Sequence, residues 1–422
     1  MEIGTLERFN TWWRTGKVRE DLLLEYRRHL FTDIMKYMKM RQVLLIYGLR
    51  RVGKSTMMYQ IINSLLEAVE PNRVLYFSFD ERKYELEDLL ETYQKMILHS
   101  TFEDVRGNVY IFFDEIQKID DWESKIKVVY DLYPNVKFIL SGSASIALRK
   151  SAKESLAGRI FDFLLEPLHF AEFLEMWGVD VSKIKANPDL WSRKLLPQFN
   201  KYLKFGMFPE LVGVDDEEMA RKYIIDDIVE KILYKDLPEA FGMTDTELLK
   251  SLIDLVSRNP GMLVDYASLS RNLKKDQRTI ANYFEYLEFG MLIKFVFNYR
   301  GSPLASRRKL KKAYLQTPNI AFASGESIDR LMPKMLENIV MLASGAEFFY
   351  RNSFEVDFIT QRKGELTGIE VKSSSSAAKQ LMKLKKEFGR KVKGLLLLTE
   401  KGESSARGVG AIPIWRYCLF GK

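Results

Sequence analysis

The chain has 422 residues, of which 46% are hydrophobic and 13% aromatic, and its formal net charge is +8. This length exceeds what one hydrophobic core supports, so about two or three domains are expected, and the apolar content excludes a disordered chain. One cysteine excludes an internal disulfide framework, and three scattered histidines argue against a zinc site. Because no apolar run reaches the length of a membrane span and the first residues lack a signal pattern, we expect a cytoplasmic protein without a membrane partner.

The first strongly patterned stretch is the apolar run at residues 43–47, which predicts a buried strand. Residues 48–55 then read G-x-x-x-x-G-K-S, and helical periodicity follows over residues 57–69. A strand, a glycine loop and a helix N-terminus are the context of a phosphate-binding loop, because backbone N–H groups then face the phosphates. The sequence therefore predicts an ATP site, with Lys54 between the phosphates and Ser55 on Mg²⁺. The other expected nucleotide contacts are Gly48, Leu49, Arg50, Arg51, Val52, Gly53 and Thr56.

Two acids end a later strand of the same predicted sheet. A second strand is predicted at residues 73–80, and the apolar run at residues 108–115 finishes with Asp114 and Glu115. We expect Asp114 to complete the Mg²⁺ shell opposite Ser55 and to contribute to nucleotide binding. Glu115 is expected to polarise the attacking water.

Small polar and basic residues mark the last two strands of this domain. The strand at residues 136–143 contains Ser141 as first choice, and Ser143 as second, for a side chain that senses the γ-phosphate; a simple Gly-Ser turn is the alternative. Arg159 precedes a fifth strand at residues 160–165. It either neutralises transition-state charge, as arginine fingers do, or serves as a structural ion-pair partner, and the sequence favours neither.

These motifs carry a resemblance. Residues 114–123 (D-E-I-Q-K-I-D-D-W-E), 141–145 (S-G-S-A-S), 158–159 (G-R) and 167–173 (P-L-H-F-A-E-F) resemble prokaryotic AAA-family ATPases that carry an additional C-terminal domain. Residues 206–210 (G-M-F-P-E) and 234–237 (Y-K-D-L) continue the similarity. The resemblance implies an α/β protein with an AAA-type parallel-sheet core, a winged-helix region and a restriction-endonuclease-like C-terminal domain.

The middle of the chain is rich in predicted helices. Residues 167–238 are expected to form a lid over the nucleotide. Helices at residues 248–258, 265–273 and 277–289, followed by a strand from residue 290, have the order of a winged helix. The third helix begins with Lys274, Lys275, Arg278 and Thr279, where a recognition helix meets phosphates or bases. The wing would contain Arg307, Arg308 and Lys309. DNA contact and a protein–protein role both remain open.

The C-terminal segment contains a candidate nuclease site. Its predicted order is a helix at residues 331–342 carrying Glu337, three strands, a helix at residues 377–388 and a strand. Asp357 and Glu370 lie on neighbouring strands where they would share Mg²⁺, and Lys372 would orient a water. Glu337 is a further candidate metal ligand. The pattern Asp-x12-Glu-x-Lys resembles the PD-(D/E)xK nucleases, although the proline is absent. The alternative is a DNA-binding or docking module with inactive acids.

Together these features predict four segments: an ATP-binding domain with a helical lead-in (residues 1–166), a helical lid (167–243), a winged helix (244–320) and an endonuclease-like domain (321–422). The expected function is Mg²⁺-dependent ATP hydrolysis with DNA binding through the winged helix and basic surfaces, and nuclease activity at Asp357, Glu370 and Lys372. The alternative is an ATP-gated DNA- or protein-binding switch with a silent nuclease-like domain. The oligomeric state, and hence whether Arg159 acts in its own subunit, is open.

Overall fold

Five parallel strands form the sheet of the first part of the chain. The structure, a computed structural model, describes residues 2–80, 84–143, 155–302, 306, 310–371, 375–400 and 409–421. It divides into two units, Met1–Glu166 and Pro167–Lys422. Within the described residues, no helix is both long and apolar enough to cross a membrane.

The first unit has the sheet order β2-β3-β4-β1-β5. Its strands are β1 Val43–Gly48, β2 Val74–Ser78, β3 Val109–Asp114, β4 Val136–Ser143 and β5 Ile160–Leu164. Its helices are α1 Ile3–Phe9, α2 Trp12–Thr15, α3 His29–Tyr37, α4 Lys54–Leu65, α5 Leu86–Tyr93 and α6 Trp122–Leu132. The central strands are nearly continuous apolar runs because a parallel sheet is covered by helices on both faces. The predicted α/β fold with a parallel sheet is confirmed.

The strand order decides which side chains meet. Strand β4 lies between β1 and β3, so its carboxyl end separates the loop after β1 from the acids that end β3. Ser141 pairs in register with Ile46, and Asp114 pairs with Ser78 on the other side. The carboxyl ends of neighbouring parallel strands therefore converge at one edge of the sheet, as ligand sites of open α/β sheets require.

The second unit contains a mixed eight-stranded sheet of order β13-β12-β11-β10-β9-β7-β8-β6. Its strands are β6 Met262–Leu263, β7 Ile293–Asn298, β8 Lys311–Leu315, β9 Phe348–Arg351, β10 Glu355–Arg362, β11 Glu365–Val371, β12 Val392–Thr399 and β13 Ala411–Pro413. Its helices are α7 Phe170–Met176, α8 Val181–Ala186, α9 Pro188–Lys204, α10 Glu217–Tyr223, α11 Leu237–Phe241, α12 Thr246–Arg258, α13 Tyr266–Leu273, α14 Gln277–Phe289, α15 Asn319–Ala323, α16 Ile328–Ser344, α17 Ser375–Phe388 and α18 Ile414–Phe420.

One sheet runs through the segments predicted as winged helix and endonuclease-like domain. Strand β6 pairs antiparallel with β8, and β8 with β7, in the order helix, short strand, helix, helix, hairpin. Strand β7 then pairs in parallel with β9. The eight-stranded sheet therefore continues across the boundary predicted near residue 320.

Candidate nucleotide-binding site

The loop between β1 and α4 has the backbone that phosphate binding needs. Arg51 (φ 63°) and Gly53 (φ 95°) turn the chain through the left-handed region, where glycine is favoured. Gly48 cannot be replaced without a shift, because an added Cβ would lie 2.3 Å from the Leu165 carbonyl oxygen. The loop then leads directly into the N-terminus of α4, whose N–H groups and dipole favour an anion.

Lys54 lies across this loop. The side chain is 7% exposed, and Nζ donates hydrogen bonds to the carbonyl oxygens of Gly48 at 3.2 Å and Leu49 at 3.0 Å. The ammonium group thus sits on the inner side of the loop, where it can donate to phosphate oxygens of a bound nucleotide.

Asp114 is the centre of a buried hydrogen-bond network. In the described part of the chain its carboxylate accepts from Ser55 Oγ at 2.5 Å, from the Tyr76 hydroxyl at 3.0 Å, from Ser141 Oγ and from the Glu115 N–H at 3.0 Å. The structure therefore brings together Ser55, Asp114 and Ser141, which the sequence predicted as neighbours. Tyr76 was missed, since nothing in the apolar run at residues 73–80 distinguishes its hydroxyl from a core ring.

Glu115 lies beside this network with a left-handed backbone (φ 53°), a conformation that is costly for a glutamate and recurs at functional sites. Its side chain accepts a hydrogen bond from Gln117 Nε2. Burial raises the pKa of Glu115 above the ordinary carboxylate value, the Asp114 charge adds to this, and the charges of Lys54 and Arg50 oppose it. A half-buried carboxylate next to the loop is placed to orient a water.

The donor set at this edge of the sheet fits Mg²⁺. Ser55 supplies a hydroxyl and Asp114 a carboxylate, and their oxygens are 2.5 Å apart. Magnesium is bound in proteins by one or two such hard oxygen ligands together with substrate phosphates and water. Ser55 and Asp114 are the residues that would hold it.

Residues before β1 make hydrogen bonds that fix the phosphate loop and the helix after it. The buried Arg28 donates from Nη1 to the Val52 carbonyl at 2.9 Å and from Nη2 to the Glu166 carbonyl at 2.8 Å. Gln60 on α4 donates to the carbonyls of Leu24 and Tyr26, at 2.8 and 2.9 Å. Sequence reasoning did not find these contacts, because they join positions 24 to 138 residues apart.

Arg159 lies at the opposite end of the sheet from the phosphate loop. It precedes β5, whose first residue Ile160 pairs with Val43 at the beginning of β1. Its guanidinium donates to both carboxylate oxygens of Asp131, at 2.9 and 3.2 Å. This ion pair lowers the pKa of Asp131. The structure therefore does not bring Arg159 to the nucleotide site of its own chain, and the ion-pair interpretation describes the contact it makes.

The acids of the predicted nuclease site have other partners. Asp357 is buried, and its Oδ2 accepts the Val371 N–H at 2.9 Å, which extends the pairing of β10 with β11. Glu370 is buried on β11; it is two residues from Gly368, whose Cα faces Leu381 and Leu384 of α17, so it is on the α17 face. Lys372 lies outside the described residues, as do Arg307, Arg308 and Lys309 of the predicted wing.

Glu337 of α16 has its partners on β8. It accepts a hydrogen bond from the Tyr314 hydroxyl, and Lys312 Nζ lies 3.9 Å from it and 2.8 Å from Glu355. Burial raises the pKa of Tyr314 well above its ordinary value, and the Glu337 charge adds to this. Across the described ranges, no group of three or more His, Cys, Asp or Glu side chains is arranged to hold a metal ion. The expected grouping of Glu337 with Asp357 and Glu370 is not found.

The predicted recognition helix is presented to solvent at its basic end. Asp276 caps α14 by accepting from the N–H groups of Arg278 and Thr279, both at 2.9 Å. Lys275 is paired with Asp245 at 2.6 Å, whereas Lys274 and Arg278 are exposed. A second exposed basic group lies on α17 and the residues after it: Lys379, Lys383, Lys385, Lys386, Arg390, Lys391 and Lys393.

Comparison with known protein families agrees with this site. Residues 40–174 match a family described as an AAA domain. Residues 196–322 and 335–417 match two domains of unknown function, DUF8612 and DUF4143. The matches therefore place an AAA domain in the first part of the chain, followed by two segments to which the matching families assign no activity.

Three similar proteins are named only as uncharacterized. One uncharacterized protein of Methanocaldococcus jannaschii is 28% identical over 340 residues, which are 75% of this chain and 72% of the relative. A second from that organism is 29% identical over 66% of this chain and 61% of its own length, so the match spans less than two thirds of it. An uncharacterized protein of Haemophilus influenzae is 26% identical over 84% of this chain and 86% of its own.

Among solved structures, the Orc1 protein of Aeropyrum pernix in complex with DNA is similar at a TM-score of 0.32, with 12% identity over 78% of this chain and 98% of the other. Cdc6p of Pyrobaculum aerophilum is similar at a TM-score of 0.29, with 11% identity over 76% of this chain and 98% of the other. Scores this low do not indicate the same overall fold.

Proposed function

We propose that this protein hydrolyses ATP with Mg²⁺ and that the bound nucleotide controls its binding to DNA. The observation that carries the first part is the contact between Ser55 and Asp114 beside the phosphate loop that Lys54 crosses. Those three side chains supply a metal ligand, a second metal ligand and a phosphate-binding cation, which is the set that phosphoryl transfer to water requires.

In this mechanism each residue has one task. Lys54 and the N–H groups at the start of α4 bind the phosphates, and Ser141 orients Asp114 from the neighbouring strand. Glu115 accepts a hydrogen bond from the attacking water and thereby aligns it with the γ-phosphate. When bound, Mg²⁺ supplies charge neutralisation at the phosphate oxygens.

DNA is the polyanion that the second unit fits best. The order of α12, β6, α13, α14 and the β7–β8 hairpin is that of a winged helix, and the exposed Lys274 and Arg278 stand at the start of its third helix. The basic side chains of α17 and of the residues after it are exposed as well. Exposed lysine and arginine side chains bind phosphates by releasing counterions, a mode that does not depend on sequence.

We favour a DNA-binding switch over a nuclease. The Asp357 oxygen is used by a backbone N–H, and Glu337 is used by Tyr314 and Lys312. These oxygens already have partners within the protein, and among the described residues no group of three or more His, Cys, Asp or Glu side chains is arranged to hold a metal ion. The acids of the second unit are then structural.

The ATPase part is tested by phosphate release from the full chain with Mg²⁺. Lys54→Ala is expected to lower turnover by about 100-fold or more, because an electrostatic contact to the transferred phosphate is lost. Lys36→Ala removes a lysine whose ammonium is paired with Asp33 on the exposed face of α3, and it should leave turnover unchanged. Full turnover in Lys54→Ala would contradict the assignment.

The DNA part is tested by fluorescence anisotropy of a labelled duplex over a range of salt. Lys274→Ala/Arg278→Ala should weaken binding and reduce the slope of log affinity against log salt by about 1 to 2. Lys36→Ala/Lys95→Ala removes the same charge from the first unit and should leave the slope unchanged. Binding that is identical with ADP and with a non-hydrolysable ATP analogue would exclude nucleotide control.

A further inference from the structure

The carboxylate of Asp114 has a partner on the edge strand that no phosphate-loop pattern predicts. The Tyr76 hydroxyl donates to Asp114 Oδ2 at 3.0 Å, and Ser55 donates to the same oxygen at 2.5 Å. Ser141 and the Glu115 N–H occupy the other oxygen, Oδ1. Each carboxylate oxygen thus has a donor on a neighbouring strand, Tyr76 of β2 for Oδ2 and Ser141 of β4 for Oδ1.

Tyr76 is itself fixed by residues before the sheet. Strand β2 is an edge strand, so one side of its backbone lacks a neighbouring strand. The Asn10 side chain replaces that neighbour: its Oδ1 accepts the Tyr76 N–H at 2.6 Å, and its Nδ2 donates to the Tyr76 carbonyl at 2.8 Å. Asn10 is 1% exposed, and the Tyr76 ring packs against Tyr59 with centroids 4.7 Å apart.

We propose that Tyr76 is a positioning residue for the metal-holding carboxylate, and that Asn10 fixes Tyr76 in place. This inference rests on the proposed ATPase function. Ser55 and Asp114 would hold Mg²⁺ when it is bound, and the Tyr76 hydroxyl would remain a donor to Oδ2 that fixes the orientation of the Asp114 carboxylate.

The position of the hydroxyl suits this task. Tyr76 is buried, and its hydroxyl reaches Asp114 from β2 without belonging to the phosphate loop. Groups that hold a metal ligand from outside typically change metal affinity by about 10-fold to 100-fold when they are removed.

The test measures binding rather than turnover. The affinity of the full chain for a non-hydrolysable ATP analogue is determined by calorimetry with and without Mg²⁺ for wild type, Tyr76→Phe and Tyr93→Phe. Tyr93 is the matched control, since it is a fully buried tyrosine of the same unit whose hydroxyl donates to the Asn72 carbonyl at 2.6 Å.

Tyr76→Phe is expected to reduce the gain in affinity from Mg²⁺ by about 10-fold while leaving Mg²⁺-free binding unchanged. Asn10→Asp keeps the acceptor for the Tyr76 N–H but loses the Nδ2 donor to the Tyr76 carbonyl. It should reduce the gain in affinity from Mg²⁺ less than Tyr76→Phe does. A Mg²⁺ gain in Tyr76→Phe equal to that in Tyr93→Phe would overturn the inference while leaving the ATPase proposal intact. Wild-type protein that binds no ATP analogue under either condition would instead overturn the proposed function.

Discussion

Asp114 in the first unit and Asp357 in the second are both buried acids on strands, but their partners differ in kind. Asp114 accepts from three side-chain hydroxyls, which can rotate toward a ligand, and from one backbone N–H. Asp357 accepts from the backbone N–H of Val371, a contact that extends the pairing of β10 with β11. A hydroxyl partner can be exchanged for a metal ion at small cost, whereas a buried backbone N–H left without an acceptor is expensive.

The surroundings of the acids in the two units also differ. Asp114 lies next to a helix N-terminus and Lys54, and both favour an anionic ligand. Glu337 of the second unit is instead satisfied within the protein, by Tyr314 and Lys312. A buried acid therefore indicates a site only where its partners are exchangeable and a binding surface for the ligand is present.

The largest expected difference between the two acids is in ATP hydrolysis. Asp114→Ala should lower turnover by about 100-fold or more, because a metal ligand is lost. Asp357→Ala should leave it unchanged. Steady-state phosphate release at saturating ATP checks both variants, and equal losses would remove the distinction drawn between the two acids.

The reverse difference is expected in stability. Asp357→Ala leaves the Val371 N–H without its acceptor and should lower the free energy of unfolding by about 1–3 kcal/mol. Asp357→Asn retains an acceptor oxygen and should cost less. Urea unfolding followed by circular dichroism measures this; if both variants unfold like wild type, Asp357 is not the structural acid that its contact indicates.

A smaller effect is expected in the pH dependence of turnover. The carboxylate form of Glu115 orients the water, so activity is lost as pH falls through its pKa, which burial places above the ordinary range. The hydrogen bond from Gln117 favours the charged form. Gln117→Leu should therefore move the acid limb of the rate profile to higher pH, with the plateau at high pH retained. An acid limb that moves to lower pH would show that Gln117 does not stabilise the charged carboxylate.

The smallest expected effect is that the protein does not cleave DNA. Supercoiled DNA incubated with the full chain, ATP, and Mg²⁺ or Mn²⁺ should stay intact, because the described acids of the second unit do not converge on a metal. Nicking that disappears in Asp357→Ala and Lys372→Ala would restore the nuclease interpretation.

The local sequence pattern was enough to predict the main strands and helices and the phosphate loop. The strand predicted at residues 136–143 is β4 residue for residue, and the helix predicted at residues 277–289 is α14. Apolar period and glycine spacing encode these features within a few residues of the chain. The position of Ser141 between the loop and Asp114 follows from strand order, because β4 lies between β1 and β3.

The partners of side chains were not predictable in the same way. Asn10 binds Tyr76 across 66 residues, and Arg28 binds Glu166 across 138. Asp357 and Asp114 are alike in sequence, each at the end of an apolar run or within it, and only the contacts across the sheet separate them. Arg159 was placed correctly before β5, but which end of the sheet that position occupies depends on the direction of β5.

The contacts of residues 10–13 with the edge strand β2 also affect how this protein can be produced. Trp12 and Trp13 donate through their indole nitrogens to the Val74 carbonyl, at 3.0 and 2.9 Å, next to the Asn10 contacts with Tyr76. Removing residues 2–15 to obtain a shorter fragment would remove these hydrogen bonds to β2. The exposed edge of β2 could then pair with strands of other molecules. A purified fragment that begins at residue 16 should precipitate or form soluble aggregates, whereas a tag fused ahead of residue 1 should leave the protein monodisperse.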